Sequence, residues 1–350
     1  MSTKNITDKG IDLSEINYVT KEFHAKNKKS QIFSNDLLIA RHGNSGSAFL
    51  IPETVSEAQA LNVVIIKNSK NFDSYFMENY FETTKIKKYM ASLKAGSVQG
   101  VVNTKDIEKI SINLPSFNEQ NKINSFLQLF DRKIQLLENQ YQICLDFKKY
   151  LMQQIFTQKL RFDFTYEWDK YLLGDISIIS KGFTPSTSNP DYWDGNLKWL
   201  SIADMNQGKY INQTTKKITY EGSKNKEPIK KGTLLMSFKL SIGKLGILNE
   251  DMYTNEAICN FQWKNKKIMT EYMYYYLSSI NILKYGSQAA KGITLNNETL
   301  SAIPVLLPSI EEQNKIIDIL SNLDLKINML ENNINITSKF KKGLLQQMFV

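Results

Sequence analysis

The sequence predicts an α+β protein built from two copies of one module, each a mixed globular domain followed by a long amphipathic helix. Three observations carry the prediction: an internal repeat, an apolar stripe of helical period in both repeated segments, and β-type runs between turn residues upstream of each. The repeat is plainest from Leu114, where LPSFNEQNKINSFLQLFDRKIQLLEN returns from Leu307 as LPSIEEQNKIIDILSNLDLKINMLEN, a shift of 193 residues (307 − 114). Pro115 matches Pro308, Gln120 matches Gln313, Lys122 matches Lys315, Asp131 matches Asp324 and Glu138 matches Glu331. The shift persists to the end, where FKKYLMQQIF from Phe147 matches FKKGLLQQMF from Phe340.

The first repeated segment reads as a helix from about Asn118 to Lys159. Its apolar positions Ile123, Leu127, Phe130, Ile134, Leu137, Tyr141, Cys144, Leu151 and Ile155 alternate steps of four and three, with Lys148 in the one polar slot. Adding 193 gives Ile316, Leu320, Leu323, Ile327, Leu330, Ile334, Thr337, Leu344 and Met348, with Lys341 in the same slot. Neither helix buries such a stripe alone, so the two are expected to pair as an antiparallel coiled coil with the globular domains at opposite ends. A helix of roughly 40 residues at ~1.5 Å each is a ~60 Å spacer, nearly two turns of B-DNA at ~34 Å per turn. Simple dimerisation through the heptads is the other reading of the same stripe.

Upstream the repeat is weaker. LLIARHGNSG from Leu37 faces LLMSFKLSIG from Leu234 at a shift of 197, and Gly96 in AGSVQGVVN faces Gly292 in KGITLNN. The runs Asn62–Ile66 and Ile110–Pro115 read as strands. One amphipathic helix is expected in each domain, YFMENYFETTKIKKYM from Tyr75 and YMYYYLSSINILKY from Tyr272. TPSTSNPDYWDG, Thr184 to Gly195, is a long turn-rich loop. SIADM from Ser201 lines up with STKNI from Ser2, so Trp168 to Trp199 has no counterpart in the first copy, which reads as shortened at its N-terminus. The expected organisation is a first domain at 1–113, a central spacer helix at 114–162, a second domain at 163–306 and a C-terminal spacer helix at 307–350.

Forty-two per cent hydrophobic residues in 350 suffice for two cores, and 44 Lys and Arg against 35 Asp and Glu leave +9, which favours a polyanionic partner without identifying it. Two cysteines, Cys144 and Cys259, suggest neither a disulfide framework nor a metal site, and fit a reducing, cytoplasmic setting. The opening MSTKNITDKG has no signal-peptide core, and no apolar run approaches the ~20 residues of a membrane span. Catalytic motifs are missing. SIGKLG, Ser241 to Gly246, lacks the first glycine and the hydroxyl residue of a phosphate loop. The two histidines, His24 and His42, lie near no cysteine, so no metal or cofactor site is expected. Glu311 and Glu312 sit at a helix start, where the helix dipole accounts for them as capping residues. Asn189-Pro190-Asp191-Tyr192 approaches the N-P-P-Y motif that grips a flipped base, but Asp191 replaces the second proline and the segment reads as a turn.

Taken together, the chain resembles the specificity (S) subunits of type I restriction-modification systems. The residues that carry the resemblance are the two LPS-x-x-EQNKI helix starts at Leu114 and Leu307, the Leu-Glu-Asn centres at Glu138 and Glu331, KGFTPSTSNPDYW from Lys181, and the glycine-led loops at Gly96 and Gly292. The resemblance implies two target-recognition domains joined by two antiparallel conserved helices, each domain reading one half of a bipartite double-stranded DNA sequence. It implies no enzymatic activity and no cofactor of the chain's own. The implied partners are two methyltransferase subunits, which methylate adenine N6 with S-adenosylmethionine, and through them two ATP-dependent restriction subunits. The family's first domain normally opens with a segment like Trp168–Trp199, so a chain that reads only one half-site is an alternative expectation. A coiled-coil adaptor whose domains bind protein is another.

Base readout needs side chains that reach the major-groove edges, with Lys and Arg on the flanking phosphates. In the second domain the candidates are Lys181, Thr184, Ser186, Lys239, Lys291, Thr294 and Asn296; in the first they are Arg41, His42, Asn44, Ser97, Gln99 and Asn103. Arg41 is the foremost, because arginine bonds guanine O6 and N7 bidentately. Lys85, Lys87, Lys88, Lys230 and Lys231 suit phosphate attraction or an ordinary solvated face.

Overall fold

The computed structural model describes residues 1–7, 10–42, 46–95, 101–162, 166–239, 241–289 and 292–349. The chain forms two compact units, residues 1–140 with 330–350, and residues 141–329. The two long helices, Phe117–Phe156 and Ile310–Met348, run through both.

In the first unit a three-stranded antiparallel sheet has Leu37–Ala40 at its centre, flanked by Ala48–Leu50 and Val63–Ile66. All four residues of the central strand are buried, because one face packs on helix Ser74–Phe81 and the other on Ile6, Ile32 and Ile51. The single helix expected from Tyr75 is two, Ser74–Phe81 and Thr84–Ala95. Thr83 makes the break. Its hydroxyl donates to Tyr80 O (2.8 Å) and accepts from Ile86 N (3.4 Å), ending one helix and capping the next. The strand expected over Ile110–Pro115 is also absent: among the described residues nothing pairs with it.

In the second unit the order is Tyr210–Ile211, Leu245–Leu248, Leu234–Ser237, Ile258–Trp263, Ser177–Lys181. Leu234–Ser237 again lies at the centre, is wholly buried, and packs on helix Thr270–Ser279. Beside it Trp193–Leu200 pairs with Lys216–Ile218 and with Tyr253–Thr254. The counterpart of the unpaired 111–114 run is Pro304–Leu307, which is a strand because Asp169–Leu172 pairs antiparallel with it. That partner belongs to the Trp168–Trp199 segment.

The helices pair as an antiparallel coiled coil. In the first unit Phe130 meets Phe340 (5.6 Å between rings) and Leu127 shares a core with Leu345 and Phe349. In the second, Leu151 and Ile155 pack with Ile316 and Leu320. The stripe Ile123, Leu127, Phe130, Ile134, Leu137 and its repeat Ile316, Leu320, Leu323, Ile327, Leu330 is buried or half-buried at every position. Each fully buried leucine or isoleucine, such as Leu127 and Ile155, contributes roughly 1.5–3 kcal/mol.

Polar contacts fix how each domain sits on its helices, and they occur twice. Gln120 Oε1 accepts from Asp73 N (2.8 Å) and its Nε2 donates to Pro115 O (2.9 Å). Gln313, 193 residues on, accepts from Met269 N and donates to Pro308 O, both at 3.0 Å. Each glutamine thereby ties the first turn of a long helix to the first turn of the domain's own helix. Lys341 in the polar slot pairs with Asp131, and Lys148 pairs with Asp324. Each aspartate also accepts a phenol from the domain helix, Tyr75 in one unit and Tyr275 in the other.

Glu312 corrects the capping assignment made from sequence. It is 1% exposed and receives Arg161 (3.1 and 3.0 Å), Phe162 N (3.2 Å) and the Trp168 indole (2.9 Å). Burial pushes its carboxyl up, but these hydrogen bonds outweigh burial and hold it below the ordinary glutamate value. Ser309 Oγ, accepting from Glu312 N (3.2 Å), does the capping.

Candidate nucleic-acid interface

The candidate reading residues stand on loops anchored by buried strands. In both units the end of the central strand is bonded back by a glycine. Gly46 (φ 89°) donates to Ala40 O at 2.8 Å, and Gly243 (φ 88°) donates to Ser237 O at 2.8 Å. These positions differ by 197, the shift of the LLIA and LLMS strands. Left-handed backbone at this point suits glycine, and a Cβ on Gly46 would also lie 2.7 Å from Met90 Cβ.

Arg41 and His42 lie on the first of these loops, and Asn44 falls outside the described residues. Arg41 Nε donates to Val102 O (3.1 Å), its Nη2 reaches Asn103 Oδ1 (3.5 Å), and Val102 N returns a bond to Arg41 O (3.2 Å). The structure therefore brings Arg41 and Asn103 together and uses part of the guanidinium to hold Val102, just before helix Thr104–Ile107. His42 is exposed. Ser97 and Gln99 lie outside the described residues.

In the second unit the position of Arg41 holds Phe238, 1% exposed, and that of His42 holds Lys239. Lys239 Nζ is 5.8 Å from the Phe238 ring centre and Lys181 Nζ is 5.3 Å from it. Both lysines are exposed, and among the described residues neither has a carboxylate within 4.0 Å. The edge strand Ser177–Lys181 and the hairpin loop thus present two uncompensated cations at one end of the sheet. Thr184 is already engaged, donating to Glu256 and accepting from Asn255 Nδ2 (2.9 Å). Ser186 Oγ is 2.8 Å from Ser188 Oγ in the same exposed loop. Asn296 caps helix Asn297–Ser301, accepting from Thr299 N (2.9 Å). The hairpin of Ser287–Ala289 with Gly292–Thr294 carries Thr294, and Lys291 lies outside the described residues. Asn189 to Tyr192 forms a 3-10 turn, with Asn189 Oδ1 accepting from Asp191 N (3.0 Å).

Sequence reasoning missed a second group of cations. Phe183, Trp193, Trp199 and Tyr253 form an aromatic cluster, with Trp193 and Trp199 edge to face at 5.1 Å. Lys226 Nζ stands 4.6 Å from the Phe183 ring and Lys216 Nζ 5.3 Å from that of Trp193. The aromatic content of Trp168–Trp199 was visible, but the lysines come from a strand and loop more than fifteen residues on. Of the lysines assigned to phosphate attraction, Lys230 is paired with Asp251 (3.0 Å) and Lys87 with Glu82 (2.5 Å), so their charges are locally offset. Among the described residues no cluster of His, Cys, Asp and Glu could hold a metal ion, and no helix is long and apolar enough to cross a membrane.

A buried-sheet scaffold with divergent basic loops, duplicated on a matched helix pair, defines a two-domain protein of the DNA-specificity class. The chain belongs to the family described as "Type I restriction modification DNA specificity domain", whose model matches residues 2–143 and 166–337. It is 24% identical over 344 residues to the type I restriction enzyme MjaVIII specificity subunit of Methanocaldococcus jannaschii, covering 91% of this chain and 79% of that one. To the MjaIX specificity subunit of the same organism it is 30% identical over 193 residues, 53% of this chain and 44% of the relative, less than half its length. Among solved structures, a chain from work on complex assembly and conformational transition of the type I R-M system superposes with a TM-score of 0.65 at 15% identity, covering 99% of this chain and 90% of that one. The S subunit from M. genitalium superposes at 0.58 and 15%, with coverages of 92% and 85%. At these identities the structural likeness concerns the fold.

Proposed function

We propose that this chain is the sequence-reading, non-catalytic subunit of a cytoplasmic type I restriction-modification complex, in which each unit reads one half of a bipartite double-stranded DNA target. The observation that carries this reading is the duplicated loop scaffold. One backbone closure, at Gly46 and at Gly243, carries Arg41 and an exposed His42 in one unit and an exposed Lys239 beside a buried Phe238 in the other. Two unlike sets of side chains on one scaffold suit two unlike half-sites. Lys181, Lys239, Lys216 and Lys226 then lie on phosphates or base edges.

The partner reading rests on a second duplication. Leu136, Ile336 and Phe340 are 56%, 65% and 58% exposed in the first unit; their counterparts Met329, Ile143 and Phe147, each 193 residues away, are 61%, 66% and 50% exposed in the second. Apolar faces of this kind mark protein docking sites. Because the face occurs twice, it fits two copies of one partner. We assign it to two methyltransferase subunits, which carry the S-adenosylmethionine-dependent adenine-N6 chemistry and bring two ATP-dependent restriction subunits.

The test is to express the chain with its methyltransferase in a host free of adenine methylation and map N6-methyladenine by sequencing. Methylation at one asymmetric sequence of two blocks separated by an unread gap is the expected result. Arg41→Ala should relax one block at a cost of ~1–3 kcal/mol, and Lys239→Gln should alter the other block or weaken binding evenly while reducing the salt dependence. A single contiguous motif would point to readout by one unit. Absence of sequence preference, with weak salt dependence, would favour a protein-binding adaptor.

A further inference from the structure

One exposed segment is alike in the two units, in contrast to the candidate reading loops. VTKEFHAKNKK from Val19 faces ITYEGSKNKE from Ile218, with Thr20 opposite Thr219 and Glu22 opposite Glu221 at a shift of 199 (219 − 20), the shift of STKNI and SIADM. Ala25 is extra in the first copy, so Lys26, Asn27 and Lys28 face Lys224, Asn225 and Lys226 at 198 (224 − 26). One further residue brings Ile32 opposite Ile229 at 197 (229 − 32), the shift of the central strands.

Each unit holds its copy by equivalent contacts. Thr20 Oγ1 accepts from Phe23 N (3.2 Å) and opens helix Lys21–Lys26; Thr219 Oγ1 accepts from Gly222 N (3.0 Å) and opens helix Tyr220–Ser223. Behind each turn an isoleucine pairs antiparallel, Ile32 with Ala58 and Ile229 with Met252. The residue after each of those partners steadies the turn: Gln59 Nε2 donates to His24 O (3.2 Å), and the Tyr253 hydroxyl donates to Lys226 O (2.9 Å). Both segments end beside candidate readers. Lys226 Nζ stands over the Phe183 ring, two residues from Lys181. Ser30, two residues after Lys28, accepts from Ala60 N (2.8 Å), and Val63 just beyond pairs with Ala40, directly before Arg41.

Lys26, Lys28, Lys224 and Lys226 are exposed, and among the described residues none has a carboxylate within 4.0 Å. The threonine hydroxyls, Gln59 and Tyr253 hold the turns, so the four ammonium groups are left for another partner. Two readers of unlike half-sites meet one feature in common, the sugar-phosphate backbone. We propose that Thr20–Lys28 and Thr219–Lys226 form a duplicated phosphate-binding site for the backbone of double-stranded DNA. Lys26 and Lys28 in the first unit, and Lys224 and Lys226 in the second, neutralise phosphates flanking each half-site without reading its sequence. Lysine suits this task, being a compact point charge on a flexible stem that adapts to a phosphate beside any base pair. The inference rests on the DNA reading given above and separates the shared contacts from the unlike loops that carry base readout.

The test uses the full chain purified with its methyltransferase and titrated by fluorescence anisotropy onto two labelled duplexes, one carrying the mapped target sequence and one scrambled, between about 50 and 200 mM salt. Lys26→Gln with Lys28→Gln, and separately Lys224→Gln with Lys226→Gln, should each weaken binding to both duplexes by the same factor. Each pair should also lower the slope of log affinity against log salt by about 2, one phosphate per lysine. The methylated sequence should stay that of the wild type. Lys26→Arg with Lys28→Arg, and Lys224→Arg with Lys226→Arg, keep the charge and should keep the slope. An unchanged slope in the glutamine variants, a loss confined to the target duplex, an altered methylated sequence, or an effect from only one of the two pairs would overturn the proposal. A wild-type complex with no salt-dependent affinity for either duplex would instead sink the DNA reading, and this site with it.

Discussion

Lys148→Met tests whether the duplicated Lys–Asp–Tyr contact holds the helix pair in register. Lys148 and Asp324 have side chains 21% and 23% exposed, so the pair lies between the exposed and the buried limits. Exposed pairs contribute ~0.2–1 kcal/mol, whereas removing one partner of a buried pair costs ~3–5 kcal/mol. Methionine preserves the apolar stem but leaves Asp324 with the Tyr275 phenol at 2.6 Å as a strong donor, which places the expected cost at about 1–2 kcal/mol. That is a fall of several degrees in melting temperature for a unit of this size. Lys341→Met should cost less, because Asp131 is 43% exposed. A double-mutant cycle in urea, with Lys148→Met and Asp324→Asn singly and together, should return a coupling of ~1 kcal/mol. The reasoning fails if the coupling lies within ~0.3 kcal/mol of zero, or if Lys148→Met alone stabilises the protein.

Three further expectations follow from buried groups. Gln313 is fully buried and bonded to Met269 N, Lys267 O and Pro308 O; Gln313→Ala should destabilise by about 2–4 kcal/mol in denaturant titration, chiefly from orphaning those groups. Glu312 has a folded-state pKa below its ordinary value of 4.5, so its contribution is complete above that value and is lost as pH falls through the lower folded value. Wild-type stability should therefore drop more steeply than that of Glu312→Gln between about pH 5 and pH 3, and parallel curves would exclude the role. Burial pushes the Cys259 thiol up to about 12, so iodoacetamide at mildly alkaline pH should label Cys144 and spare Cys259 in the native protein, as read by peptide mass spectrometry.

The helices were legible because the requirement to bury one stripe writes a period into the sequence, and here it is written twice. What sits opposite each stripe was less so. The sequence shows Lys148 and Lys341 in equivalent slots and Asp131 and Asp324 as an identical pair, yet the contacts join Lys148 to Asp324 and Lys341 to Asp131. An antiparallel pairing in which partner numbers sum to 472 (148 + 324, 131 + 341) brings them together, so the information was present but needed the register. Glu312 was misread for a related reason: its partner Arg161 lies 151 residues away, and a glutamate in a first helical turn has a sufficient local explanation in the helix dipole. Ile110–Pro115 has strand composition but, among the described residues, no partner strand. Sheet structure is a property of pairs, and in the second unit the same run is a strand only because Asp169–Leu172 lies beside it.

The unequal divergence of loops and helices has a physical cause in how each is held. The loop after Leu37–Ala40 is closed by backbone bonds, Gly46 N to Ala40 O and Ala40 N to Ser47 O, and its counterpart by Gly243 N to Ser237 O and Ser237 N to Lys244 O. Because backbone bonds make the closure in both units, an arginine that holds Val102 in one can stand where a phenylalanine buried in the core stands in the other. The helix contacts are made by side chains: Gln120 and Gln313 by their amides, Lys148 and Lys341 by their ammonium groups. Replacing any of these removes the contact itself. A loop specified by its backbone and a helix pair specified by its side chains therefore diverge differently under one requirement to fold, leaving the loop side chains free to change while the helices keep their partners.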